Sequence, residues 1–351
     1  MAKCVFIVQG EGKGHMSQAL ALKEYLADAG HSIEAVFIGC NYPGPIPEYF
    51  KEAFQKNLAC FHSPFFLRTP NKKGIYVGRT ILFNLARSLI YMSEVNRLRK
   101  AITNLDPDVV FNFYDVIGAL ALRKVDPGIR RVGIGHHFFL HLDGYRSRGG
   151  SVWHKWLLRL HTSQVMRSCD RVLALSYTEE KGNDRITVVP PLIRKAFREI
   201  RYNPGERYLV YLLNEGFIYN LISLSQKDPD FQADVFSGLE PGISLPSGLE
   251  FQTFSAELFK EKMSTAKGLI CSAGFDTISE AAYHGIPLVA IPVKNHFEQL
   301  CNSYDVERSG IGQRADDVYP ELLKQMKSPD QREFRSWVDR AGELIINSMN
   351  E

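Results

Sequence analysis

Short apolar runs alternate with amphipathic segments along the chain. The apolar runs predict buried strands, and in the first half they fall at residues 5–8, 31–38, 58–62, 109–113, 131–135, 171–175 and 186–189. In the second half they fall at residues 208–213, 234–237, 249–252, 268–271, 288–291 and 311–313. The segments between them have helical spacing, as in Ala19, Leu22 and Leu26. Strands that alternate with helices predict α/β domains with parallel sheets.

Two amphipathic segments of the first half are rich in large apolar residues. Residues 78–103 predict one long helix, whose apolar side carries Leu82, Leu85, Leu89 and Met92. A second helix, from Val152, carries Trp153 and Trp156 beside several basic residues. Its pattern favours packing into the core. A membrane-surface patch is the alternative, because tryptophan with arginine is typical of a membrane interface.

A proline-rich, basic stretch divides the chain. Pro190 and Pro191 open it, Pro204 and Gly205 close it, and the strand–helix pattern then restarts. The predicted divisions are an N-terminal domain at 1–190, a linker at 191–206, a second domain at 207–328 and a terminal helical segment at 329–351.

The composition is that of an ordinary globular protein, with 45% hydrophobic and 23% charged residues among 351. A formal net charge of +3 is too small to indicate a nucleic-acid partner. No apolar run approaches the ~20 residues of a membrane-spanning helix, and the opening apolar run is too short for a signal peptide. The six cysteines lack Cys-x-x-Cys spacing, so we expect buried free thiols in a reducing cytoplasm.

The most informative stretch runs from residue 267 to residue 302. It combines a strand, the turn Ser272-Ala273-Gly274, a helix predicted at 276–284 and a second strand. In such a unit, ligands bind beyond the carboxyl ends of the strands, and the helix N-terminus suits a phosphate group. Gly274 allows a ligand to approach the backbone closely.

Polar side chains follow that turn on two consecutive loops. Thr277 lies in the first turn of the predicted helix, and Glu280 lies one turn later, where its carboxylate can accept two hydrogen bonds from a ribose diol. Thr-x-x-Glu also fits a capping box, with Asp276 as another N-cap. Glu298 and Gln299 begin the next predicted helix. Polar residues on consecutive strand-end loops favour a binding site over capping alone.

A glycine-rich turn, Gly10-Glu11-Gly12-Lys13-Gly14-His15, follows the first strand. It matches neither a P-loop nor the full dinucleotide fingerprint. His15 is predicted at the helix mouth, facing a cleft, where imidazole can accept a proton near neutrality; capping is the alternative. Asp115, after the strand at 109–113, is the second choice for accepting the proton or for orienting His15, with an N-cap as its alternative.

Three histidines, His136, His137 and His141, follow the strand at 131–135. A zinc site would explain them, but adjacent residues at a strand end point apart and the sequence offers no evident fourth ligand. We therefore predict no metal site.

The stretch from 267 to 302 resembles the donor-binding signature of the nucleotide-sugar glycosyltransferases of the GT-B fold, and it is most similar to their MurG-like branch. The family pattern is Gly-x-x-Thr-x-x-Glu-x-x-x-x-Gly-x-Pro, an apolar strand, and then Glu/Asp/Gln-Gln-x-x-Asn. This chain matches it in register with Gly274, Thr277, Glu280, Gly285, Pro287, Glu298, Gln299 and Asn302. The resemblance implies two Rossmann-like domains facing across a cleft, with a C-terminal helix, anchored by Trp337, that crosses back to the first domain.

The resemblance also implies roles for individual residues. Donor contacts are expected from Ser272, Gly274, Phe275, Thr277, Glu280, Glu298, Gln299, Phe254, Asn214 and Gly216. Acceptor-side contacts are expected from Gly12, Lys13, Gly14 and His136. Phe254 would pack on the nucleotide base or be a buried aromatic, and Gly216 would serve the donor loop or a simple turn. In the family a Gly-Gly-x-Gly-Gly-His loop follows the first strand, and Gly12, Gly14 and His15 match it. Lys13 departs from this glycine run and is available to an anion.

Together these features predict a metal-independent hexosyltransferase that needs no cofactor. It would move a sugar from a UDP-type donor, with N-acetylglucosamine among the candidates, to a carbohydrate, glycolipid or other hydroxyl acceptor of the cell envelope. The expected location is the cytoplasm, with peripheral contact to the inner face of the membrane as an option. A UDP-sugar 2-epimerase of the same fold and a catalytically degenerate sugar-nucleotide-binding protein are the alternatives.

Overall fold

The structure, a computed structural model, describes residues 1–11, 13–40, 46–67, 76–145, 149–212, 217–236 and 245–350. The first domain is built on a parallel sheet of seven strands in the order β3-β2-β1-β4-β5-β6-β7. The strands are β1 Lys3–Gln9, β2 Ser32–Cys40, β3 Leu58–His62, β4 Val109–Phe113, β5 Arg130–Gly135, β6 Arg171–Leu175 and β7 Ile186–Val189. The helices around it are α1 Gly14–Asp28, α2 Glu48–Phe54, α3 Val77–Ala86, α4 Ser88–Leu105, α5 Val116–Leu122, α6 Val152–Met166 and α7 Lys195–Arg198.

The second domain repeats the plan with a parallel sheet of six strands in the order β10-β9-β8-β11-β12-β13. Its strands are β8 Tyr208–Tyr211, β9 Ala233–Phe236, β10 Leu249–Gln252, β11 Leu269–Ser272, β12 Leu288–Ile291 and β13 Gln313–Arg314. Its helices are α8 Ile218–Lys227, α9 Ala256–Ser264, α10 Phe275–Tyr283, α11 Phe297–Ser309 and α12 Pro320–Gln325, and the chain continues through α13 Gln331–Asp339 and α14 Ala341–Asn350.

Both sheets have helices on both faces, which explains why their central strands are uniformly apolar. Val5, Phe6, Ile7 and Val8 of β1 are all fully buried, although successive side chains point to opposite faces. In each sheet the strand order reverses beside the first strand, between β1 and β4 and between β8 and β11. Ligands of parallel sheets bind at such switch points. The predicted two-domain Rossmann-like architecture is confirmed.

The C-terminal segment returns to the first domain. Trp337 is buried, and its indole Nε1 donates a hydrogen bond to the carbonyl of Ser176 at 3.0 Å. Arg130 of β5 donates to the carbonyl of Ser348 at 3.1 Å. The predicted terminal helix consists of two, because α13 ends before Arg340 and α14 begins after it.

The prediction of one long helix at 78–103 is wrong, because the helix is broken at Arg87 into α3 and α4. Leu85 of α3 is 63% exposed. Leu89 of α4 is 84% exposed, because the buried face of α4 is the one with Val95 and Leu98. Amphipathic spacing identifies two faces of a helix but does not say which one meets the core.

The predicted core packing of α6 is also wrong, since Trp153 is 72% and Trp156 52% exposed.

All six cysteines are free, and Cys60 is exposed on the edge strand β3. Within the described residues, no helix is long and apolar enough to cross a membrane.

Candidate active site

A cavity of about 460 Å³ lies between the carboxyl edges of the two sheets. The first domain contributes His15, Tyr114 and His137 to its lining, and the second domain contributes Glu280 and Glu298. The switch-point loops after β1, β4 and β11 therefore meet at one place, as the strand order requires. Three predicted site residues, Gly12, Asn214 and Gly216, lie outside the described residues.

The start of α10 opens on this cavity. The helix begins at Phe275, one residue earlier than predicted, with Gly274 as N-cap and no side-chain cap. The capping-box interpretation of Thr277 and Glu280 is therefore wrong, and so is Asp276 as N-cap, because it lies inside the first turn. Gly274 has no Cβ, so nothing at the cap position covers the amide groups that a helix leaves unpaired at its N-terminus. Together with the helix dipole, they form an anion-binding end.

Glu280 lines the cavity although only 5% of its surface is exposed. Its Oε1 accepts a hydrogen bond from Arg194 at 3.3 Å. Burial raises the pKa of Glu280, and the Arg194 guanidinium opposes that rise. Arg194 lies between β7 and β8 and stacks on Phe197, with the guanidinium carbon 4.4 Å from the ring centroid. The segment that joins the domains thus holds the carboxylate in place.

Asp276 and Gly14 bring the two domains into contact across the cavity. The Asp276 Oδ2 accepts a hydrogen bond from Gln18 Nε2 at 3.2 Å. A Cβ on Gly14 would lie 2.6 Å from the same oxygen, so any larger residue at this position would have to displace the Asp276 carboxyl group. Burial raises the pKa of Asp276 to about 8, and nearby Glu280 adds to the rise. Asp276 is therefore protonated at neutral pH.

His15 is the second residue of α1, and its ring lies parallel to that of Tyr114 with the centroids 5.9 Å apart. Its Nδ1 is 3.3 Å from Gln18 Oε1. An amide oxygen only accepts, so Nδ1 carries the proton and Nε2 keeps a lone pair. Burial lowers the pKa of His15. A neutral imidazole in a fixed tautomer is suited to accept a proton.

Asp115 does not orient His15, contrary to the prediction. It is fully buried, is the N-cap of α5 through the amide of Gly118 at 2.7 Å, and accepts a second hydrogen bond from Ser63 Oγ at 2.5 Å. Tyr114, with a left-handed φ of 64°, turns the chain so that its own ring faces the cavity and Asp115 lies beneath. Gln18, which the sequence-based prediction missed, takes the orienting role. Its signal was its position three residues after His15 on the same helix face.

His136 is not available to an acceptor, which corrects a second prediction. Its Nδ1 is 2.7 Å from the carbonyl of Leu175, and its Nε2 is 3.0 Å from Asp305 Oδ2. Both ring nitrogens are therefore occupied by partners within the protein. Although burial opposes it, the hydrogen bond and charge of His136 hold the pKa of Asp305 below its usual range.

Phe275 belongs to the same interface between the domains. Its buried ring stacks on His136 at 4.4 Å and on Tyr177 at 4.5 Å between centroids. Its side chain therefore holds the domains together, and a donor at this position would be contacted through the backbone of α10.

The second half of the signature shapes the loops around the cavity. Gln299 accepts from the amide of Val293 at 3.0 Å, and Asn302 donates to the carbonyl of Ala273 at 2.9 Å. These side-chain amides fix the turns before α11 and α10. The Gln299 side-chain oxygen is thus used by the preceding loop, and the residue also lines the cavity. Glu298 faces the cavity. Burial opposes its ionisation, but the surrounding histidines, His137 first, lower its pKa to about 2.

The remaining predicted residues line the same cavity or lie at its edge. Lys13 and Gly14 belong to the lining, and so does Thr277, one turn before Glu280. The Lys13 Nζ lies 3.5 Å from the centroid of the Phe254 ring, in a cation–π contact. Phe254 also packs on Tyr211, with 5.5 Å between centroids. Ser272 is buried at the end of β11. Within the described parts of the chain, His, Cys, Asp and Glu side chains form no group suited to a metal ion.

Comparison with solved structures gives the same two-domain architecture. A kitacinnamycin glycotransferase is 19% identical, with a TM-score of 0.65 and 99% of each chain covered. MurG of Acinetobacter baumannii is 13% identical, with a TM-score of 0.60 and the same coverage. The fold is therefore that of the GT-B glycosyltransferases.

A family model described as glycosyl transferase family 1 matches residues 2–328. The chain belongs to this family and is a glycosyltransferase. An uncharacterized glycosyltransferase of Methanosarcina acetivorans is 28% identical, covering 89% of this chain and 83% of its own length. Another of Methanosarcina mazei is 23% identical, covering 88% and 84% respectively.

Replacement of Asp276 should change how stability depends on pH. An aspartate has a pKa of about 3.9 in an unfolded chain, whereas burial raises that of folded Asp276 to about 8. Between these values the folded state binds the extra proton, so stability falls as pH rises. Asp276→Asn should remove this slope. Its melting temperature should exceed that of the wild type at pH 8, and the two should converge near pH 4.

The matched control is Asp28→Asn, at the exposed end of α1, whose pH profile should follow the wild type. Parallel curves for Asp276→Asn and the wild type from pH 4 to pH 8 would show that Asp276 is ionised in the folded protein.

Proposed function

We propose that this glycosyltransferase moves a hexosyl group from a UDP-type nucleotide donor to an acceptor hydroxyl, without a metal ion. The observation that supports this most is the open N-terminus of α10 at the switch point of the second sheet, with Glu280 one turn beyond it in the cavity wall. A diphosphate fits the first feature and a ribose diol fits the second. Backbone amides at a helix N-terminus stabilise the charge that develops on a departing diphosphate, which is the task a metal ion performs elsewhere.

The donor would extend from this point in both directions. On one side, Phe254 at the cavity wall offers an aromatic face for the base. On the other, Glu298 offers an ionised carboxylate to the hydroxyls of the sugar. Lys13, whose ammonium lies over Phe254, would add a positive charge near the nucleotide. Glu280 would receive the ribose while Arg194 fixes its orientation.

The acceptor would enter beside His15. The acceptor hydroxyl would donate a hydrogen bond to the lone pair on Nε2 of His15. That nitrogen would take the proton as the hydroxyl oxygen attacks the anomeric carbon of the donor sugar and the diphosphate departs. Gln18 keeps Nδ1 protonated, so the base presents the correct nitrogen. Holding both substrates between two domains supplies their alignment.

A carbohydrate, a glycolipid or another hydroxyl compound would serve as acceptor, and the surface favours a lipid-linked one. Val152 and Trp153 of α6 are 82% and 72% exposed, and Leu89 of α4 is 84% exposed. Ile81 of α3 and Leu157 of α6 both line the cavity, so these exposed apolar helices flank it. A peripheral contact with a membrane surface would cover them and bring a lipid acceptor to the cavity.

Loss of the Glu280 charge should weaken donor binding. UDP should raise the melting temperature of the wild type, and Glu280→Gln should weaken UDP binding roughly 10- to 100-fold, the usual effect of losing hydrogen bonds to a charged group. Isothermal titration calorimetry measures this. Glu307→Gln, on the exposed side of α11, is the control and should bind as the wild type does. A wild type that binds no uridine nucleotide would refute the donor assignment.

Replacement of His15 should impair chemistry and spare binding. His15→Asn should lower kcat roughly 10²- to 10⁴-fold, the range for a general base, with UDP affinity unchanged. Since burial lowers the pKa of His15 from 6.5, the wild-type rate should fall only below that pH. The measurement is UDP release with UDP-glucose or UDP-N-acetylglucosamine and an acceptor panel. Epimerised sugar from UDP-N-acetylglucosamine alone would instead identify an epimerase, and turnover unaffected by His15→Asn would remove the base assignment.

Polar replacement of the exposed apolar residues should weaken membrane binding. The wild type should co-sediment with vesicles that contain anionic phospholipid, and a Leu89→Ser/Trp153→Ser double variant should bind at least about tenfold more weakly, because two large apolar contacts are lost. Tyr319→Ser, 46% exposed on the second domain, is the control. Equal sedimentation of all three proteins would argue against this surface.

A further inference from the structure

His137 is a buried histidine of the cavity wall. Only 4% of its surface is exposed, and neither ring nitrogen has a hydrogen-bond partner among the described residues. The ring is packed in place, 5.6 Å from Tyr114 and 5.4 Å from His136 between centroids, and it belongs to the lining of the cavity. Buried polar atoms that stay unpaired are costly and uncommon in folded proteins. The His137 ring is packed in place at the cavity and has no hydrogen-bond partner among the described residues. It therefore indicates that a group on the substrate forms a hydrogen bond with it.

The protonation of His137 restricts what that group is. Burial lowers its pKa to about 4, so the ring is neutral at physiological pH. A neutral imidazole offers one donor and one acceptor and carries no charge to attract a phosphate. Its chemical complement is a hydroxyl group, which also donates and accepts.

Glu298 supplies the second half of the arrangement from the other domain. Its Oε1 lies 3.9 Å from His137 Nε2, which is too far for a direct hydrogen bond. A hydroxyl oxygen beside the two atoms can lie about 2.8 Å from both. It would accept from the His137 N–H and donate to the Glu298 carboxylate, which is ionised.

We propose that His137 and Glu298 together bind one hydroxyl of the transferred sugar. This inference rests on the proposed function, in which Glu298 faces the sugar, and it adds a binding residue from the opposite domain. Because His137 follows β5 in the first domain and Glu298 lies in the first turn of α11 in the second, the sugar is recognised only between the two domains. The nucleotide part of the donor, held by α10, is independent of His137.

The test is to measure how much the sugar adds to nucleotide affinity. Calorimetry with UDP, UDP-glucose and UDP-N-acetylglucosamine gives this ratio for each protein. In His137→Phe the UDP affinity should equal that of the wild type, and the affinity for the preferred UDP-sugar should fall roughly tenfold, as expected for a lost hydrogen-bonded hydroxyl. His137→Gln, which retains a donor and an acceptor, should recover part of the loss. The matched control is His141→Phe, in the same segment but outside the cavity lining.

Stability separates a binding role from a structural one. His137→Phe removes two unsatisfied polar atoms, so its melting temperature without ligand should equal or exceed that of the wild type. Unchanged discrimination between UDP and UDP-sugars in His137→Phe would overturn the inference and leave the proposed donor intact. A drop in UDP affinity equal to that in UDP-sugar affinity would also overturn it, because the effect would then be structural. A wild type that binds neither compound would instead refute the proposed function.

Discussion

The arrangement of the cavity depends on one buried hydrogen-bonded pair between the domains. His136, held by the carbonyl of Leu175, meets Asp305 of α11 with both side chains almost entirely buried. Tyr145 donates to the same carboxylate oxygen, and Phe275 at the start of α10 stacks on the His136 ring. Separating the two partners would leave buried polar atoms without a hydrogen bond, a loss of about 1–3 kcal/mol. The positions of α10 and α11 relative to the first sheet follow from it.

Fixed in this way, the N-termini of α1 and α10 face each other, and both favour negative charge. Gln18 bridges them by ordering His15 at one end and Asp276 at the other. Burial raises the pKa of Asp276 to about 8, so it occupies the space between the helices without adding a negative charge at neutral pH. The same glutamine thereby contacts the His15 ring on one domain and the Asp276 carboxyl group on the other.

The sequence predicted the features that depend on one local pattern. Strand runs and the unit at 267–302 depend on local periodicity, and the structure has them nearly at the predicted residues. A local pattern does not decide between adjacent residues. The left-handed backbone of Tyr114 places this ring, and not Asp115, at the cavity. At the end of β5, His136 binds Asp305, whereas the His137 ring nitrogens have no hydrogen-bond partner in the described part of the chain. Partners such as Asp305, far along the chain and in another domain, leave no trace in a local pattern.

Arg194 connects the segment between the two domains to the cavity. It lies where the chain passes from one sheet to the next, stacks on Phe197 of α7, and hydrogen-bonds Glu280. Burial raises the pKa of Glu280, and the Arg194 guanidinium opposes that rise. Loss of this contact would therefore leave a buried carboxyl group in the cavity wall without its positive partner, which is costly in a protein interior. The position of Glu280 thus depends on the path that the chain takes between the sheets, and not only on the helix α10 that carries it.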